Sequence, residues 1–208
     1  MAEFDKNYWE DHWTLDSPEQ EQRQLPVNPY LPAETTHLPP GAALDAGCGS
    51  GAEALLLAEQ GWRVTAADIS ATALATAQAR AAAAGLANRI DWVEADLSRW
   101  APDRTWDLVV TNYAHAEIGQ LPLYRRLASW VAPGGTLLIV GHLHGHHHGD
   151  HSGHDRPDSA TATLNSITNL FTVPAWRIDA GYENTRTVRP GGTPVQLRDV
   201  IVRARRLS

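Results

Sequence analysis

Cysteine occurs once in this chain, at Cys48, so no disulfide can form within it, and a lone thiol suits a reducing compartment. Lysine is nearly absent as well: of 17 basic residues only Lys6 is a lysine, and 24 acidic residues outnumber them. The resulting net charge of −7 argues against nucleic acid as a partner, because phosphate binding draws on a basic surface. The one dense basic cluster, Arg203, Arg205 and Arg206, lies at the C-terminus and reads as a solvated strand end. No apolar run approaches the roughly 20 residues of a membrane span. The opening MAEFDKNYWEDHW has no basic region followed by an apolar one, as a secretory leader would. These absences exclude a membrane partner and lead to the expectation of a cytoplasmic protein.

What is present is ordinary for a globular domain: 208 residues, 43% hydrophobic and 20% charged, enough for one buried core. Residues 1–41 read as a helical or irregular lid segment, and residues 42–208 as the domain proper. Phe4, Tyr8, Trp9 and Trp13 give residues 4–13 an aromatic, amphipathic character. Asp16-Ser17 offers a cap for a short helix over PEQEQRQL, and a proline-rich run from Pro26 to Pro40 follows.

From residue 42 strand and helix patterns alternate. AALDAG, WRVTAAD, RIDWVEAD, WDLVVTNY and TLLIVG are strand-like, and the fourth is apolar throughout, as a central parallel strand should be. AEALLLAEQG, SATALATAQARAAAAG and LPLYRRLASW are helical, with Ser70 as a cap and Gly61 and Gly85 as stops. WRIDAGYENTRTVR and VQLRDVIVRARR alternate apolar and polar residues around PGGTP and predict a terminal antiparallel pair. The expectation is a three-layer α/β sandwich: a seven-stranded, mostly parallel, Rossmann-like sheet with an antiparallel final strand.

LDAGCGSGAEA places Gly47, Gly49 and Gly51 between a strand and a helix, where the backbone can turn sharply and approach a ligand. Gly47-x-Gly49-x-x-Ala52 with Asp68 downstream also fits a dinucleotide fingerprint. Three features favour another reading. Asp45 stands two residues before the first glycine, Asp96 ends the third strand, and the sheet closes with a hairpin instead of a second parallel half.

The segments LDAGCGSG, VTAADIS, VEADLSRW, WDLVVTNYAHAE and APGGTLLIVGH, in this order over residues 42–142, resemble the class I S-adenosylmethionine-dependent methyltransferases. That resemblance implies S-adenosylmethionine as cofactor. Gly47, Cys48 and Gly49 would pass their backbone under its methionine moiety, and Asp45 would orient the loop and meet the ammonium. Asp68 would accept from both ribose hydroxyls, and Ile69 would lie on the adenine. Asp96 would take the exocyclic amine and the Leu97 amide a ring nitrogen, with Asn112 leaving the fourth strand at the carboxyl edge. Beside these stand structural roles: Asp96 as a cap for LSRW, and Cys48 as packing.

FDKNYWEDHW is similar to the N-terminal segment of small-molecule methyltransferases of the thiopurine and tellurite-resistance branch. There Trp13 would fold over the donor, or else the aromatic residues pin a surface helix. His115, after the fourth strand, and His142, after the fifth, are the candidate catalytic groups because imidazole titrates near neutral pH. The implied partner is a small-molecule methyl acceptor: a thiol, phenol, amine or metalloid. Seven of the ten histidines crowd between His142 and His154, and a divalent metal there is the competing expectation. That would make the chain a metal- or metalloid-handling protein. A non-catalytic S-adenosylmethionine-binding module is the third.

Overall fold

A computed structural model describes residues 4–14, 27–143, 162–189 and 194–208. Helices α1 (Lys6–Thr14) and α2 (Tyr30–Thr35) precede strand β1 (Ala42–Ala46). Then come α3 (Ala52–Glu59), β2 (Arg63–Asp68), α4 (Ala71–Ala83), β3 (Ile90–Glu94) and β4 (Trp106–Asn112). The chain continues with α5 (Gln120–Ser129), β5 (Val131–His142), α6 (Leu164–Thr168), β6 (Trp176–Val188) and β7 (Val195–Arg206). The strands form one seven-stranded sheet in the order β3-β2-β1-β4-β5-β7-β6. β7 runs antiparallel to both β5 and β6, and the pairings from β3 through β5 are all parallel.

Period-2 alternation sorts the central strands onto two cores. Val109, Leu137, Ile139, Val200 and Val202 face α5 and α6, packing on Leu123, Leu127 and Ile167. Leu108, Val110, Leu138, Val140 and Ile201 face the other way, onto Tyr30 and Leu31 of α2, Leu57 of α3 and Leu74 of α4. The central strands are therefore apolar on both faces, the condition of a sheet covered on both sides. Fully burying each leucine among them contributes about 1.5–3 kcal/mol. Ser70 caps α4 as its position predicts, its side chain accepting from the Ala73 amide at 3.1 Å.

Two expectations need adjustment. The proline-rich run contains α2, with Pro32 in its first turn, where the missing N–H has no intrahelical partner to lose. Arg203 is not a solvated strand end: its side chain is 15% exposed and pairs with Glu34 of α2 at 3.3 Å. The short helix expected over PEQEQRQL lies outside the described residues. Among the described residues no helix is long and apolar enough to cross a membrane.

Candidate functional site

β1 and β4 lie side by side at the centre of the sheet, and the loop leaving β1 crosses their carboxyl ends. The Gly47 and Cys48 amides both donate to the Ala67 carbonyl at the end of β2, at 2.8 and 3.0 Å. Gly47 has φ of +79°, and a β-carbon there would stand 2.4 Å from that of Ala114. Glycine is thus required for both conformation and space. Behind the loop, Arg80 of α4 donates to the Ser50 carbonyl at 2.9 Å.

Three carboxylates gather beneath this loop. Asp45 is buried and accepts from the Ala54 amide at the start of α3, while its Oδ2 has no partner among the described residues. Burial, then the charges of Glu53 and Asp68, hold the Asp45 carboxyl well above the usual carboxylate range. Asp68, also buried, takes the Gly49 amide on Oδ2 at 2.8 Å and the Ser70 amide on Oδ1 at 3.0 Å. Burial raises it too, against those hydrogen bonds. A carboxylate offers about four lone-pair sites, so each Asp68 oxygen keeps capacity for a further donor. Asn28, just before α2, joins the group: its amide nitrogen donates to Glu53 at 3.2 Å and to Asn112 Oδ1 at 2.7 Å.

α1 lies across this edge. Glu10 accepts from Ser70 Oγ at 2.9 Å, the Ala71 amide at 2.7 Å and the Thr72 amide at 3.3 Å, the exposed donors at the start of α4. Burial opposes its ionisation, but these hydrogen bonds prevail and draw the Glu10 carboxyl below its ordinary value. Lys6 pairs with Glu94 at the end of β3. The Trp13 ring rests against Gly49, 2.9 Å from where a β-carbon on that glycine would be. Ile69 and Asp96 line a cavity of about 370 Å³ together with Asp5, Lys6 and Arg99. Asp96 Oδ1 also takes the Ser98 amide at 2.8 Å, the capping role. Leu97 is buried, its carbonyl held by Arg126 at 2.8 Å.

A second group forms where β4 and β5 end. Tyr113 adopts φ of +56°, a left-handed conformation rare outside glycine that tends to persist at sites its surroundings over-determine. Its ring lies 4.4 Å from that of His142, and His142 lies 6.1 Å from His115 between centroids. Phe4 and Trp9 sit over His115 at 5.2 and 6.3 Å. From the hairpin, Arg186 donates to the Tyr113 hydroxyl at 3.1 Å and to Asp199 at 2.8 Å. Tyr30 donates to Asp199 at 2.8 Å.

The structure therefore brings Asp45, Gly47, Cys48, Gly49, Asp68 and Trp13 around one loop, with Asn112 joined to them through Asn28. Ile69 and Asp96 meet at the neighbouring cavity, beside Leu97. The Cys48 thiol is buried, and burial raises it, so only its backbone is available here. His115 and His142 stand with Tyr113. Sequence reasoning missed Glu10, Asn28, Glu53, Arg186 and Asp199. Only Glu53, in the first turn after the glycine loop, carried a positional signal. Histidines 144–154 lie outside the described residues. Among the described residues no group of three or more histidine, cysteine, aspartate or glutamate side chains is placed to hold a metal ion.

Residues 43–135 match a family model described as a methyltransferase domain. The probable thiol methyltransferase 2 of Arabidopsis thaliana is 30% identical over 144 residues, 67% of this chain and 63% of that protein. The trans-aconitate 2-methyltransferase of Streptomyces avermitilis is 38% identical over 116 residues, 52% of this chain and 40% of that protein. The chain thus spans less than two thirds of the length of these relatives. The crystal structure of magnesium protoporphyrin IX methyltransferase from Synechocystis with bound SAM superposes with a TM-score of 0.67 at 18% identity, over 99% of both chains, a likeness of fold.

Proposed function

Because this chain belongs to the class I S-adenosylmethionine-dependent methyltransferases, we propose that it moves the methyl group of S-adenosylmethionine to a small-molecule nucleophile held against Tyr113, His115 and His142. The observation that carries this reading is the anionic cradle under the glycine loop. A buried carboxylate with an unpartnered oxygen, crowded by two more carboxylates, suits a ligand bearing an ammonium and a sulfonium. S-adenosylmethionine, when bound, supplies a methyl group already activated for displacement.

The residues have separate tasks. Asp45 would receive the ammonium, Asp68 the ribose hydroxyls, and Ile69, Asp96 and the Leu97 amide the adenine. Gly47, Cys48 and Gly49 let the backbone approach, and Asn112 closes the edge. α1, tied down through Glu10 and Lys6, would exclude water, with Trp13 as its contact to the loop. Positioning then does most of the work, since in-line displacement needs alignment more than proton transfer. His142 and His115 are the groups available to keep an acidic acceptor deprotonated. The likeness to a probable thiol methyltransferase makes a thiol the first acceptor to test.

S-adenosylhomocysteine should raise the melting temperature of the protein and NADH should not. Stabilisation by NADH alone would overturn the assignment. Turnover is then read as S-adenosylhomocysteine released across a panel of thiols, phenols and amines.

A pH dependence follows from the buried acids. Asp45 and Asp68 are raised in the folded state above their unfolded values, so ionising them costs stability, and the cost disappears as pH falls through the folded values. The free protein should therefore gain stability from this pair as pH falls from the raised values toward the ordinary carboxylate range. Affinity for S-adenosylhomocysteine should fall over the same window, because the ammonium needs an ionised partner. Asp45→Asn should flatten both trends. A parent whose affinity does not change with pH there would remove Asp45 from the ammonium site.

A further inference from the structure

Arg186 has no assigned task, yet it is the cation set into the wall of the proposed acceptor site. It lies on β6, and on the neighbouring strand Asp199 projects from the same face, two residues along from the partner of Arg186, Leu197. The Arg186 Nε donates to Asp199 Oδ2 at 2.8 Å, and Nη2 donates to the Tyr113 hydroxyl at 3.1 Å. Its guanidinium carbon stands 6.0 Å from the centre of the Tyr113 ring. These contacts fix the plane of a group that otherwise swings on a long, flexible stem.

The pair is asymmetric. The Asp199 side chain is 0% exposed and that of Arg186 is 21% exposed. The carboxylate thus forms the buried end of a fixed dipole, and the guanidinium forms the end nearer solvent. Arginine carries five N–H donors. Among the described residues the protein uses donors only on Nε and Nη2, leaving Nη1 for a ligand. Tyr113 does not compete for the charge, because burial and the Asp199 charge keep its phenol neutral. The His142 ring lies 4.4 Å from that of Tyr113, beside the same wall. Asp199 and His142 are also direct partners in the β5–β7 register, so the pair and the imidazole share one patch of sheet.

We propose that Arg186 recognises a carboxylate on the methyl acceptor, and that Asp199 is the positioning residue that aims it. The proposal rests on the functional reading above and narrows its acceptor to small organic acids that carry the nucleophile. A planar, pre-oriented guanidinium favours a carboxylate over a neutral isostere through paired, charge-assisted hydrogen bonds.

Calorimetric binding tests this without turnover. Benzoate is compared with benzamide, and 3-mercaptopropionate with its methyl ester, each titrated into the protein with and without saturating S-adenosylhomocysteine. Each acid should bind about tenfold tighter than its neutral twin. Arg186→Gln should erase the preference while leaving S-adenosylhomocysteine affinity within about twofold, and Arg186→Lys should keep part of it. Asp199→Ala should weaken the preference, because the guanidinium is no longer aimed, and Asp199→Asn, which keeps an oxygen to accept from Nε, should retain more of it; a merely structural ion pair predicts no such order. If Arg186→Gln alone does not fold, the double variant Arg186→Gln with Asp199→Asn removes both charges together, and it too should lose the preference. The proposal is overturned if acids bind no tighter than their twins, whether both bind or neither, or if the preference survives loss of the guanidinium. Loss of S-adenosylhomocysteine binding in the parent, with the acid preference and its Arg186 dependence intact, would instead overturn the methyltransferase reading and leave a carboxylate site standing.

Discussion

Asp68→Ala should weaken S-adenosylhomocysteine binding by about 1.5–3 kcal/mol, the range for hydrogen bonds to a charged group. From sequence alone Asp68 stands at an exposed strand end and its removal should leave the fold untouched. The structure changes that expectation. Asp68 is 8% exposed and accepts from two backbone amides, Gly49 and Ser70, which would lose their acceptor together. Each buried donor left unsatisfied costs about 1–3 kcal/mol, offset in part by removing a carboxylate whose ionisation burial already penalises. The variant should therefore melt earlier as well as bind donor poorly. Asp68→Asn keeps an acceptor oxygen, so it should recover part of the stability but little of the donor affinity. Calorimetry and thermal melts on the two variants separate these effects. Donor binding by Asp68→Ala as tight as the parent's would show that Asp68 only braces the loop.

Much of this was legible in the sequence because the informative residues are local. The glycines sit at fixed offsets after an apolar strand, and Ser70 and Gly85 mark the ends of α4 by cap chemistry that depends on near neighbours only. The alternation in the last two strands gave their antiparallel pairing for the same reason, since period 2 is a property of the strand itself. The sheet and the loop could be read without knowing which strands are adjacent.

What stayed hidden depends on adjacency. Arg186 and Asp199 become a pair only through the register of the hairpin, and Tyr113 joins them only because β4, β5 and β7 lie side by side. Glu10 looks like one acid in a mixed-charge helix. Its role appears only when α1 crosses the start of α4, where open backbone donors are waiting. α2 was obscured by prolines that normally break helices, and Asn28 by its place in that same run. In each case long-range packing decided the outcome where local propensity was silent or misleading.

Gly47→Ala is expected to have the second large effect, and it separates conformation from space. At φ of +79° an alanine pays about 1–2 kcal/mol for the left-handed backbone. Its methyl would also stand 2.4 Å from the Ala114 β-carbon, and overpacking of that kind costs about 1–3 kcal/mol. The combined loss, about 2–5 kcal/mol, should fall on stability and donor binding together, because the loop that must shift is the one proposed to carry the donor. Gly85 provides the control. It has φ of +72° with nothing within 4 Å of its would-be β-carbon, so Gly85→Ala should lower the melting temperature slightly and leave S-adenosylhomocysteine affinity alone. Ala114 follows Tyr113, so the clash in Gly47→Ala would also press on the acceptor wall. Adding Ala114→Gly removes the opposing methyl and should return the packing share while leaving the backbone strain. If the double variant binds S-adenosylhomocysteine no better than Gly47→Ala, the loss lies in the backbone conformation of the loop. If both variants bind like the parent, the Gly47 backbone does not face the donor at all.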